Sequence, residues 1–291
     1  MAQPKTIYVQ AVNVRLHNHK DADYHSLIEE MYEQKIAVNY RSNDFLMISS
    51  ITISRDNPIV KGIIAHFVEI DKNLDWLDIN TGAKADEEVV NEINIPDNLR
   101  PNLTSFHFEF DTRIHLFSFE VYGSNGRLSA GAVQKFFENA LVRLPIIERH
   151  GHGEVNIVAD SQEIDQLFDF DRLSSITITI ERPNSDVGAD DMEKDVLAEM
   201  EAEGASRLER KSYAAPGNSL DPSERTRMLA KVAARNGAVT THGQIGNTTK
   251  DKSTSDIPLR EGTQYDPDAT SEHQAFEKAV LLLKDRYRRD E

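Results

Sequence analysis

Three histidines and two aspartates, His17, His19, Asp21, Asp23 and His25, crowd one short stretch of the chain. Imidazole and carboxylate together are the donor set of a zinc, manganese or iron site. Alternate residues of an extended segment share one face, so the spacing permits a shared ion. The same stretch must also bend from a strand into a helix that Asp23 is placed to cap, and the bend works against convergence of all five donors. A solvated loop with a helix cap is the first reading. A metal site on His17, His19, Asp21 and His25 is the alternative, and it would make the chain a metal-dependent nuclease or other hydrolase. His150-Gly-His152-Gly153 offers two more imidazoles, but glycine there serves a turn into the next strand. Neither group places histidines at i and i+4 around a glutamate, as a helical zinc hydrolase would.

Gly123-Ser-Asn-Gly126-Arg127 lies between a strand pattern and a capped helix pattern. Backbone N–H groups at a helix start attract anions, so Gly123, Gly126 and Arg127 form a candidate phosphate cradle. The stretch lacks the Lys-Ser/Thr pair of a Walker loop and the third glycine of a dinucleotide fingerprint, and a tight turn explains it equally. No Gly-x-Ser-x-Gly elbow or kinase motif set is present. No catalytic residue and no cofactor are therefore assigned.

The strongest departure from background is basic. The 291 residues hold 49 acids and 33 bases, a net charge of −16, which disfavours nonspecific contact with nucleic acid or an anionic membrane. Residues 186–203 carry eight acids against Lys194 and read as an exposed acidic helix. Residues 205–252 reverse the sign, with nine bases against four acids. The nine are Arg207, Arg210, Lys211, Arg225, Arg227, Lys231, Arg235, Lys250 and Lys252. Arg227, Lys231 and Arg235 follow at i, i+4 and i+8, a line that can track phosphates. Compensation of the acidic helix is the competing explanation.

The positioning elements follow from periodicity. Residues 6–16 alternate as a strand, and Leu27, Ile28, Met31, Tyr32 and Ile36 recur at helical spacing. Residues 45–54 and 59–70 form a hairpin about Arg55-Asp-Asn-Pro58, followed by a long polar connection over 71–103 with one short helix at 84–92. Phe106, Phe108 and Phe110 alternate, and a second strand resumes after Asp111-Thr-Arg113. Ser129 caps a helix carrying Val133, Phe136, Phe137 and Leu141, which Pro145 ends. A strand at 154–159, a short helix at 161–168 and a strand at 173–182 complete one expected continuous layer over 104–182. Asp221, Pro222 and Glu224 read as N-cap, N1 and N3 of a helix that Gly237 stops. Residues 238–264 read as a mobile hairpin or loop. A last helix carries Phe276, Val280, Leu281, Leu282 and Leu283, more apolar surface than one side needs.

The fold class is therefore α+β: mostly antiparallel sheet layers with helices packed on one face, plus a helical charged C-terminal region. The expected division is 1–103, an N-terminal α+β region; 104–183, a ββαβαβ core; and 184–291, the charged region. The absence of cysteine excludes disulfides, zinc–thiolate sites and a cysteine nucleophile. No run approaches the roughly 18 apolar residues of a membrane span, so a cytoplasmic protein is expected.

Ile95-Pro-Asp-Asn-Leu-Arg-Pro-Asn-Leu103, Thr177-Ile-Thr-Ile-Glu-Arg-Pro-Asn184, Asn236-Gly237 and Tyr265-Asp-Pro-Asp268 resemble an uncharacterised bacterial family of similar length, a domain of unknown function. The order of elements, rather than any motif, is similar to that of the lambda phage-exclusion protein RexA. That family implies a dimeric DNA-binding sensor in phage defence with a membrane partner; no site residue transfers from it. The resulting expectation is a cofactor-free homodimer that binds nucleic acid, DNA foremost, in bacterial anti-phage defence or regulation. A membrane or effector protein of the same operon is a further expected partner. A protein-binding adaptor is the other alternative to the hydrolase.

Overall fold

The structure, a computed structural model, describes residues 3–17, 21–54, 56–71, 73–123, 126–181 and 191–289. In chain order the elements begin with β1 (Lys5–Leu16), α1 (Asp21–Glu33), β2 (Val38–Arg41), β3 (Asp44–Thr52) and β4 (Ile59–Val68). The connection holds β5 (Leu77–Asp78), β6 (Ala83–Lys84) and α2 (Glu87–Asn91). Next come β7 (Thr104–Asp111), β8 (Leu116–Glu120), α3 (Ala130–Leu141), α4 (Leu144–His150), β9 (Gly153–Ile157), a 3-10 helix (Ser161–Phe168) and β10 (Arg172–Glu181). The remainder is α5 (Asp191–Glu203), β11 (Arg207–Tyr213), α6 (Glu224–Asn236), β12 (Gly237–Ile245), β13 (Thr248–Ser253), β14 (Arg260–Tyr265) and α7 (Glu272–Arg289).

The larger sheet runs β14-β1-β8-β7-β4-β3-β2, with β9 also paired to β1. Its strand pairs are antiparallel. Period-two alternation in β7 turns Phe106, Phe108 and Phe110 to one face, where they join Val133, Phe136 and Phe137 of α3 and Leu27 and Ile28 of α1 in the largest core cluster. On the other face Ile7, Val9 and Ala11 of β1 pack against Phe276, Ala279, Val280 and Leu283 of α7. The C-terminal helix is thus a lid on the second face of the same sheet. Leu281 and Leu282 remain exposed on it.

The expected single layer over 104–182 divides. Strands β7, β8 and β9 belong to the larger sheet, whereas β10 is central in a second one, ordered β11-β10-β12-β13. The expected boundary at 103/104 falls between β4 and β7, which pair along their length. The charged region is not helical throughout, because it supplies β11 to β14. Strand β11 is written in charges because it is an edge, where Lys and Arg discourage further pairing. Residues 238–264 order as strands because their threonines favour the pleated backbone. Ile245 pairs with Thr248 across Gly246-Asn247, and Gly246, at φ +59°, supplies the left-handed backbone of so short a hairpin.

Three local expectations shift. Pro145 does not end α3; it sits in the first turn of α4, where its missing N–H costs nothing. Ser223, not Asp221, caps α6, its hydroxyl accepting from the Thr226 amide at 3.3 Å. Gly237 does more than stop that helix. It opens β12 so close to β10 that a Cβ would stand 2.0 Å from the Thr179 carbonyl oxygen.

Candidate binding surfaces

The basic line on α6 does not stay on the surface along its length. Each i+4 step advances about 40° around a helix of 3.6 residues per turn, so Arg235 stands about 80° from Arg227. That drift carries Arg235 into the interior, 6% exposed and over the Tyr287 ring. Arg227 pairs with Asp165 and lies over Phe168. Lys252 donates to the carbonyls of Gln166 and Asp169 and caps the Phe170 ring. In β11, Arg207 pairs with Glu181 and Glu209, and Lys211 pairs with Glu209 at 2.8 Å. Arg210, Arg225, Lys231 and Lys250 are exposed, with no ion pair among the described residues. Asp165, Glu181 and Glu209 are thus described partners of this basic stretch. Residues 186–190 of the expected acidic helix lie outside the described residues.

The histidine-rich opening separates into individual contacts. His17 meets Glu154 at 3.0 Å, and His25 donates its Nε2 hydrogen to the Asn57 carbonyl at 2.9 Å. A nitrogen carrying that hydrogen has no lone pair for a metal. His19 and the side chains of Asp21 and Asp23 lie outside the described residues. Among those described, no cluster of three or more His, Asp or Glu side chains is arranged to hold a metal. His150 is buried against Glu30 at 2.8 Å, inside the fold.

At the glycine turn the Gly123 amide donates to the Gly126 carbonyl, and Arg127 lies over the Tyr122 ring. A Cβ at Gly123 would approach the Thr104 methyl to 2.7 Å, so glycine here answers a close strand contact. Ser129 caps α3 itself, accepting from the Ala132 amide at 3.2 Å. Ser124 and Asn125 lie outside the described residues.

Beneath α7 is a charged network that sequence reading passed over. Lys284 stands 2.6 Å from Glu109 and 3.1 Å from Asp111, all three buried. Arg113 clamps Asp111 with two hydrogen bonds, and Lys61 joins Glu109 to Glu277 of α7. The signal was present: Glu109 and Asp111 are the polar phase of the strand whose apolar phase is Phe106, Phe108 and Phe110. With every charge matched, this network fastens the lid. At its margin His107 Nδ1 donates to Glu120 at 3.0 Å. That bond raises the His107 pKa above its ordinary 6.5, against the opposing effect of burial. The stability it lends is complete below 6.5 and lost as pH rises through the higher folded-state value. His107→Gln should therefore cost most near pH 6 and progressively less toward about pH 9, read as the difference in Tm from wild type.

The lid covers only part of its face. Along β4, Lys61 touches α7, but Ile63, Ala65 and Phe67 continue the same phase beyond it. Phe45 and Met47 of β3 lie beside them, the Phe45 and Phe67 rings stacked at 5.8 Å. With exposed Leu103 as one wall, Phe45, Met47, Ala65 and Phe67 line an open cleft of about 520 Å³. Two polar clefts adjoin it, sharing Glu69 and bringing Asp71 and Asp97 to its rim. Exposed apolar side chains gather in the connection that follows, among them Ile70, Leu99 and Leu103. This surface carried no motif to find it by; its signal was the apolar density of both phases in β3 and β4.

Among the described residues no helix is long and apolar enough to cross a membrane. Comparison with curated proteins gives no match. The four stretches that suggested a bacterial family of unknown function lie wholly within residues 5–281, the span matched by one family description, and the chain belongs to that family, Domain of unknown function (DUF4747).

Proposed function

We propose that the chain is a non-catalytic binding protein that works through contact with another protein, its working surface being the half-buried apolar shelf of Phe45, Met47 and Phe67. The observation that carries this reading is the half-covered sheet face. Soluble proteins bury contiguous apolar surface unless something docks there, and α7 stops one residue pair short of it. The setting we propose is bacterial defence or regulation, the setting implied by the resemblance to the RexA family, with an operon neighbour as partner. A photo-crosslinker in place of Met47 in the native cell should yield one discrete adduct, lost when Phe67→Glu is added. Absence of any adduct would remove the shelf from the function.

Nucleic-acid binding is the second reading, favoured by four exposed cations without an ion pair among the described residues, Arg210, Arg225, Lys231 and Lys250. The two readings part on one experiment. Replacing Arg227, Lys231 and Arg235 together with Ala should cost about 1–3 kcal/mol, mostly through buried Arg235, while Lys231→Ala alone stays within about 0.5 kcal/mol. Neither variant should change binding to duplex DNA at low salt. A salt-dependent DNA complex in the wild type that weakens with Lys231→Ala would restore the phosphate-tracking role.

A further inference from the structure

We infer that the shelf takes a short basic amphipathic helix of a partner protein; this rests on the protein-binding reading above and names its partner by chemistry. Geometry selects a helix over a strand. Adding a strand requires a free sheet edge, and β2, the edge nearest the shelf, is closed by side chains of the α3 region. Asn139 donates to the Asn39 carbonyl at 3.3 Å, and Arg143 donates to the Ala37 carbonyl. The face beside these capped carbonyls is open.

From Phe45 to Ser49, the β3 residues that line the cleft, that face extends about 13 Å at strand rise, the length of about nine helical residues. Exposed Leu103 forms one wall of it, and the side chains of Asp97, Asn98 and Arg100 stand at its margin.

Charge selects the sign. Glu69, Asp71 and Asp97 rim the clefts against one cation, Arg100. Arg100 is already engaged by Glu69 at 3.0 Å, and its other bonds go to backbone carbonyls. The carboxylates of Asp71 and Asp97 have no basic partner among the described residues. A partner helix with Lys or Arg flanking its apolar stripe would supply them. A second copy of this chain would not: a two-fold packing sets the acidic rim against itself, and each copy brings a further net charge of −16.

The probe is a fluorescent helical peptide of about five turns with leucines at i, i+3, i+4 and i+7 and lysine elsewhere. Two controls accompany it, one with glutamate in place of lysine and one with the lysine composition kept and the leucine order shuffled. Anisotropy with the full chain should show the lysine-stripe peptide binding about tenfold or more tighter than either control. Phe67→Glu should weaken it about tenfold or more, although that change makes the chain more acidic and would strengthen mere charge attraction. Met47→Asp serves as the second shelf variant, with the Tm of each checked against wild type. Asp97→Lys, which touches no core side chain, should weaken binding several-fold and flatten its salt dependence.

If the glutamate and lysine peptides bind alike and both are lost with Phe67→Glu, the basic partner is wrong and the shelf still binds protein. If Phe67→Glu and Met47→Asp leave binding unchanged, the shelf is not the site and the protein-binding reading falls with it. If no peptide binds and a dimer in solution dissociates with Phe67→Glu, a second copy occupies the shelf and the inference is overturned.

Discussion

Replacing Lys284 with Met is expected to destabilise the protein by about 3–5 kcal/mol, the cost of leaving buried charge uncompensated. Methionine keeps the stem and its packing, so the change removes little but the ammonium. Glu109 and Asp111 then keep only Lys61, at 3.6 Å and shared with Glu277, and Arg113 at the margin. Their side chains are 9% and 1% exposed, so water cannot replace the lost partner. In the wild type, burial pushes the Asp111 carboxyl upward, but the Arg113 hydrogen bonds and the Lys284 charge outweigh it and hold it below its ordinary 3.8. Its contribution is therefore complete above 3.8 and lost as pH falls through the lower folded-state value. Without Lys284 the buried Asp111 loses one of the charges that hold its carboxyl down, so the deficit of the variant should shrink as pH falls from about 8 toward 5. Adding Glu109→Gln and Asp111→Asn should recover much of the loss, since neutral amides need no counter-charge. Denaturant unfolding at the two pH values measures all of this; a loss under about 1 kcal/mol would show the network to be a surface feature.

Phe136→Ala should cost a similar amount, about 3–5 kcal/mol, for a different reason. Phe136 is fully buried, edge-on to Phe137 at 5.1 Å. Phe137 meets Phe117 at 4.8 Å, which stacks on Phe108 at 4.8 Å. These rings come from both strands of the β7–β8 hairpin and from α3, so a void at 136 borders groups on separate elements that cannot all collapse into it. Phe136→Leu, which fills most of the space, should cost about 1.5 kcal/mol or less. Phe136 and Lys284 act on opposite faces of one sheet and share no partner. The double variant should therefore equal the sum of the singles to within about 0.5 kcal/mol, and a larger discrepancy would mean that the sheet transmits strain between its faces.

The aromatic core was legible because hairpin and helix both state their periods: Phe106, Phe108 and Phe110 at two, and Val133, Phe136, Phe137 and Leu141 near three and a half, behind a serine cap. The second sheet was not, because its outer strand, Arg207–Tyr213, has Leu208 as its one large aliphatic residue and is held by backbone pairing to β10. The burial of Arg235 at the end of the basic line on α6 was missed for a geometric reason. Residues four apart are neighbours, but residues eight apart have rotated from the surface to the interior. Glu109 and Asp111 looked like the solvent phase of a strand because the helix that covers them lies far along the chain. The shelf was invisible for the opposite reason: apolar residues in both phases of β3 and β4 imply cover on both faces, and this chain supplies it fully on one.

Strand β1 pairs along one edge with β14, Lys5 opposite Tyr265 and Gln10 opposite Arg260. In the finished protein this is an ordinary ladder; during synthesis it is a delay. The strand emerges early, and about 250 residues must be translated before its outer neighbour exists. At roughly 5–20 residues per second, that leaves the edge open for roughly 13–50 s. Throughout that interval Ile7, Val9 and Ala11, which α7 later covers, face solvent beside unpaired amides. A ribosome-bound chain of this protein is thus a template for strand addition until its last helix arrives. Its yield should depend on elongation rate and chaperone supply more steeply than its folded stability would suggest.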